Sequence, residues 1–189
     1  MSEVLTDLRQ GATVCLGNAR RLLDEAEVLF RNKGYLSCFL LSELATEEIA
    51  KGYRLLEKVR KKEEFSRKEW EDWTKKPRAH IKKLKYVHQI DDAWLRKVLD
   101  FHGISYQEFS KGFLKNFPGA KNIEDYWEKT SQAYYDFRLD ILYVNYDFKK
   151  NQWIDPLSYE PAQDPNFSLQ GLVRAKHLLS IFEAALKRK

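Results

Sequence analysis

Leu16-Gly17-Asn18-Ala19-Arg20-Arg21-Leu22-Leu23-Asp24-Glu25-Ala26-Glu27-Val28-Leu29-Phe30 is the stretch that decides the fold. Leu16, Ala19, Leu22, Leu23, Ala26, Leu29 and Phe30 recur at steps of three and four, which gathers them into one apolar stripe on a helix. The pattern predicts a helix over residues 4–31. Asn32-Lys33-Gly34 ends it, with the glycine expected at positive φ. A second helix over 35–62 follows at once, carrying Leu41, Leu44, Ala45, Ile49, Gly52, Leu55 and Leu56. So short a connection folds the two into an antiparallel hairpin.

Outward from this hairpin the chain stays helical. Residues 60–76 are charged, with Trp70 and Trp73 embedded, and read as a short exposed helix or loop packed by its tryptophans. Pro77 suits a first helical position, predicting a helix over 78–90, and Asp91-Asp92 suits the cap of a separate segment running to 101. Residues 102–121 hold Gly103, Gly112, Pro118 and Gly119, and read as the least regular region. Asn122, with Asp125 three residues on, marks the start of a helix ending near 142. Tyr143-Val144-Asn145-Tyr146 alternates as a strand does and returns through Gln152-Trp153-Ile154, predicting one small hairpin. Pro156, Pro161 and Pro165 bound a loop, and Ser168 is placed to cap a last helix to 187. Residues 1–189 therefore read as one all-α domain with one β-hairpin. Its core is expected to pair the helices around 16–30 and 41–56 with those around 126–142 and 172–186.

Composition narrows the function. The 189 residues suffice for one domain with a real core, and the net charge of +5 permits nucleic acid without requiring it. No helix-turn-helix glycine, zinc-knuckle spacing or RNA-recognition aromatic motif accompanies the basic excess. Two cysteines, Cys15 and Cys38, sit on helical stretches and read as small buried hydrophobes of a reducing cytoplasm. No apolar run approaches the about 20 residues that span a bilayer, so no membrane association is expected. Metal-ligand spacings, phosphate loops and the serine-hydrolase turn are lacking, and no cofactor is expected. Five tryptophans, ten tyrosines and eleven phenylalanines exceed the needs of a small core, and the surplus favours an interface between two copies.

Three places carry candidate chemistry. Arg138 ends an aromatic helix, and its planar guanidinium can grip a phosphate with two hydrogen bonds; a surface pair with Asp140 or Glu124 accounts for it equally. Glu43, Glu47 and Lys51 fall at four-residue steps on one helix face, and Glu47 and Lys51 are spaced as a surface ion pair. Glu48 borders the apolar stripe and needs a cationic partner, for which Arg138 is the candidate. His80 shares a helix face with Lys83 and Leu84, and an ammonium beside the imidazole favours the neutral ring, able to accept a proton; a plain surface histidine fits the position too.

These residues together resemble the AbiV family of abortive-infection proteins, a branch of the HEPN superfamily. The resemblance rests on Asn18-Ala19-x-x-Leu22-Leu23-x-x-Ala26 and on Tyr35-x5-Leu41-x3-Ala45-x-Glu47-Glu48-Ile49-x-Lys51. Arg138-x3-Leu142-Tyr143-Val144-x-Tyr146 with Trp153-x-x-Pro156 is the discriminating segment, and His80-x-x-Lys83 is similar to a further patch. It implies a dimeric bacterial antiphage protein of the cytoplasm that halts host translation, with RNA or the translation machinery and a phage-encoded activator as partners. HEPN relatives are commonly metal-independent ribonucleases whose Arg-x4-6-His motif supplies a phosphate grip and a proton acceptor. This chain departs from that motif, because positions 143–145 hold Tyr143, Val144 and Asn145. The site expected on this resemblance is Arg138 and His80 with Glu47, Glu48, Lys51, Tyr143 and Asn145; the other reading is a scaffold that binds RNA, the ribosome or a phage protein.

Overall fold

The computed structural model describes residues 7–76, 79–142, 145–147, 152–154 and 164–187, without the side chains of Tyr134, of 137–142 and of the strands. Helices α1 (Leu8–Arg31) and α2 (Tyr35–Lys61) form the expected antiparallel hairpin. The turn between them differs in detail. Lys33, at φ 60°, takes the left-handed position, while Gly34 has φ −81°. The Gly34 amide donates to Leu29 O and the Lys33 amide to Phe30 O, so the helix closes on a paired C-terminal motif with lysine where glycine was expected. Gly34 is needed for space instead, since a Cβ there would lie 3.3 Å from Leu29 O.

Helix α2 is the axis of the molecule. Phe39, Ala45, Ile49, Ala50, Leu55 and Leu56 are buried on several of its sides. Against them pack Ala12, Leu16, Ala19, Leu23 and Ala26 of α1 and Leu172, Ala175, Leu178 and Phe182 of the last helix, α7 (Pro165–Lys187). Gly52 permits the closest approach: a Cβ there would meet Phe182 Cζ at 2.2 Å and Cys15 Cβ at 3.0 Å. Cys15 and Cys38 are free and buried. No described helix is long and apolar enough to cross a membrane.

Helix α3 (Arg67–Thr74) starts at a reciprocal cap in which the Glu69 amide donates to Ser66 Oγ and Ser66 N–H to Glu69. Its Trp70 and Trp73 pack edge-on to Phe65 and Tyr86. Helix α4 (Ala79–Phe101) is continuous where two segments were expected. Asp91 does not cap; it faces Arg174 of α7 at 3.3 Å, and Asp92 accepts from Arg96 and Tyr106. The region expected to be irregular contains α5 (Tyr106–Leu114), begun by Ser105. Helix α6 (Ile123–Leu142) opens as expected, the Asp125 amide donating to Asn122 Oδ1 at 2.7 Å. Helix α7 is capped by Asp164, whose Oδ1 accepts from the Asn166 amide, while Ser168 lies inside the first turn and donates to Tyr35 O.

The expected packing of α6 against α1 and α2 is not seen among the described residues. Among the described residues α6 lies against α4, and neither apolar core includes an α6 residue. Helix α2 already has α1, α7 and α4 around it. Two of the described aromatic side chains of α6 turn to α4 and α5: Trp127 stacks on His88 of α4 at 4.3 Å, and Tyr126 packs edge-on to Phe113 of α5. Strands β1 (Asn145–Asp147) and β2 (Gln152–Ile154) pair antiparallel, Tyr146 opposite Trp153.

Candidate functional site

Because α2 is enclosed, carboxylates on it are carried inside. Glu43 and Glu47 are 6% and 4% exposed. A carboxylate so placed is stable only with donors on its oxygens. The first turns of α4 supply them. His80 Nδ1 lies 2.6 Å from Glu47 Oε1, and Lys83 Nζ lies 2.5 Å from Oε2. Each oxygen thus holds a different donor, and Lys83 is itself 2% exposed. Burial pulls the Lys83 ammonium below its ordinary range, with Glu47 opposing. With Nδ1–H given to the carboxylate, the basic nitrogen of a neutral His80 is Nε2.

The imidazole is the exposed end of this chain of contacts, with 38% of its side chain accessible. Its ring stacks on Tyr135 of α6, with centroids 6.1 Å apart and planes 22° apart. Arg138 follows Tyr135 by three residues, so it belongs to the same face of α6 about 4.5 Å further along the axis. The Arg138 side chain and Tyr143 lie outside the described residues; Asn145 opens β1. Lys51 pairs with Glu48, three residues before it, and both are half-buried. Cys15 adjoins this pair, and its thiol is pushed up to about 11, by burial first and Glu48 second, so it stays protonated and unreactive.

Two expectations need correction. Glu47 does not pair with Lys51 at the surface; α4 crosses that face of α2 and takes the carboxylate for His80 and Lys83, leaving Lys51 to Glu48. Nor does the ammonium stand directly on the imidazole, since Glu47 sits between them. The expected pairing of Glu48 with Arg138 falls on a side chain outside the described residues. Of the expected site, Glu47, His80, Glu48 and Lys51 lie on the facing α2 and α4, and Arg138 on the helix that meets His80. Sequence reasoning put Glu43 on the helix face of Glu47, four residues before it, without foreseeing its burial. It missed the bridging role of Lys83 and the ring of Tyr135.

A second histidine of α4, this one buried, is built differently. His88 is held neutral, pushed down to about 2 by burial and then by Arg174, whose guanidinium donates to Nδ1 at 2.9 Å. Its Nε2 has no hydrogen-bond partner among the described residues. This is a core histidine that ties α4 to α6 and α7.

A family model described as AbiV, of the HEPN group, matches residues 7–159. The chain belongs to the AbiV family. It is an abortive-infection protein of the HEPN superfamily, and the matched span covers Glu47, His80 and Arg138. Most of the AbiV core is inside the match, but α7, which supplies Leu178 and Phe182, lies beyond it. No curated protein and no solved structure gave a match.

Proposed function

We propose that this AbiV protein arrests translation in an infected bacterial host by cutting RNA without a metal ion, with His80 and Arg138 as its catalytic residues. The observation that carries the reading is His80, tethered through Nδ1 to the buried Glu47 and stacked on Tyr135 one turn before Arg138. In this reaction His80 Nε2 takes the proton of a ribose 2′-hydroxyl. The 2′-oxygen then bonds to the adjacent phosphorus as the bond to the 5′-oxygen breaks. The imidazolium returns its proton to that departing oxygen, leaving a 2′,3′-cyclic phosphate and a 5′-hydroxyl. Arg138 carries the charge that builds on the phosphoryl oxygens, a role in which one donor is typically worth a few kcal/mol.

Glu47 is a positioning residue: it fixes the tautomer of His80 and steadies the imidazolium, while Lys83 holds Glu47. Glu48 and Lys51 order the neighbouring turn of α2, and Tyr143 and Asn145 extend the site beyond Arg138, Asn145 to orient a phosphate or hydroxyl. The protein acts as a cytoplasmic homodimer, with the Arg138 regions of two copies brought together about a two-fold axis and a phage-encoded protein as trigger.

A second reading, a non-catalytic scaffold for RNA or the ribosome, is favoured by one feature: the Lys83–Glu47 pair is buried between two helices, as a structural pair would be. Replacing His80 separates the two. His80→Ala should abolish protection and RNA cleavage with the fold intact; a scaffold would keep its binding and its protection.

A further inference from the structure

At the far end of α4 from His80, helices α2, α4 and α7 leave an open cleft of about 950 Å³. Two large aromatic side chains that a folded chain would ordinarily hide stand on its wall, Trp94 at 42% and Phe101 at 85% exposed. Trp94 packs edge-on to His177 of α7, with centroids 4.6 Å apart, which steadies its indole. Between them, one turn from each, lies Lys97, exposed and without an acidic partner among the described residues. Arg60 enters from α2, anchored at 2.9 Å to the Ala185 carbonyl. One carboxylate lines the cleft, Glu57, and its charge is already engaged by Arg54, Lys61 and Tyr86. The cleft therefore carries a net positive charge beside two exposed aromatic rings.

We infer that this cleft is a binding site for single-stranded RNA, with bases stacked on Trp94 and Phe101 and phosphates on Lys97 and Arg60. Stacking surfaces interleaved with cations are what an unpaired strand requires. An opening of this size admits more than one nucleotide and lets a strand enter and leave. Trp94 is fourteen residues from His80 on the same helix, about 21 Å at 1.5 Å per residue, so the site is separate from the proposed cleavage centre. The choice of RNA over other polyanions rests on the reaction proposed above; the stacking and charge do not.

The test is fluorescence anisotropy of a labelled ten-nucleotide RNA against the full chain across a salt series. Trp94→Ala and Phe101→Ala should each weaken binding about tenfold, while Trp94→Phe retains most of it. Lys97→Glu should weaken binding and flatten the logarithmic salt slope by about 0.7 or more, the share of one phosphate on a single strand. Both aromatic positions are exposed, so these variants fold, which circular dichroism checks. If Trp94→Ala, Phe101→Ala and Lys97→Glu all bind RNA within about twofold of wild type, the inference is wrong. It is equally wrong if they leave RNA binding alone and abolish self-association, since the cleft is then an interface between copies. If instead His80→Ala still cleaves RNA, the proposed reaction fails while the binding result stands.

Discussion

Glu47 shows how much a single carboxylate can organise. Its two oxygens collect His80 and Lys83 inside an interface that otherwise excludes water, so removing one partner leaves the other uncompensated. Lys83→Met should cost about 3–5 kcal/mol of stability, whereas Lys51→Met, which frees only the half-buried Glu48, should cost about 1 kcal/mol or less. Chemical denaturation of the two variants side by side checks the ranking, and equal losses would place both pairs at the surface. Glu57 contributes to the molecule's acid sensitivity. Burial pushes its carboxyl up, but hydrogen bonds from Lys61, Arg54 and Tyr86 outweigh it and hold it down at about 2, against an ordinary value of 4.5. A carboxyl depressed on folding adds stability that is whole above about 4.5 and drains away as the pH falls toward 2. Melting temperature followed from pH 6 to about 2.5 should drop through that window, and Glu57→Gln should flatten the drop. Both ends of the site were legible from residue type: His80 beside Lys83 and Glu47 at helix-face spacing stand out in the sequence. Their meeting was not legible, because local spacing reports pairs within a helix, such as Glu48 with Lys51, and is blind to a helix crossing above.

At the scale of elements, the α1–α2 hairpin was readable because its signals are local: an apolar stripe, a stop, an immediate restart. Helix α4 was misread as two because Asp91-Asp92 looks like a cap, and only the fold reveals that Asp91 is taken by Arg174 of α7. Helix α5 was hidden by surrounding glycines, although Ser105 with Glu108 three residues on carried the same start signal as Ser66 with Glu69. Glycine positions make this scale testable. Gly52 lies where Phe182 and Cys15 press closest, and Phe182 is fully buried with no room to swing. Gly52→Ala should destabilise, since overpacking of about 1–3 kcal/mol exceeds a helix-propensity gain of about 1 kcal/mol. Gly17, exposed on α1 with nothing within 4 Å of its would-be Cβ, should behave oppositely, and Gly17→Ala should add about 0.5–1 kcal/mol. Thermal melts of the two variants should move in opposite directions; a shift of the same sign in both would contradict the close packing of α7 on α2.

For the whole molecule, α1, α4 and α7 pack around α2, and α4 carries the polar chemistry between α2 and α6. The overall class was legible because the long segments carry helical periodicity. The place of α6 was not, because its aromatic face suits either the core or α4, and only the fullness of the α2 surroundings excludes the first. Two proposals meet at this scale, the dimer and the reaction. Light scattering at micromolar concentration should return twice the mass of one chain, and a monomer would remove the two-fold arrangement of Arg138. The reaction is tested most directly by mapping RNA ends from phage-infected cells that carry the wild type, His80→Ala or Arg138→Ala. The account predicts new 5′-hydroxyl ends and growth arrest with the wild type, and a loss of about 10²–10⁴-fold with His80→Ala, with both variants accumulating as folded protein. Undiminished ends and protection with His80→Ala would contradict it, and would make the Glu47–His80–Lys83 cluster a brace between helices.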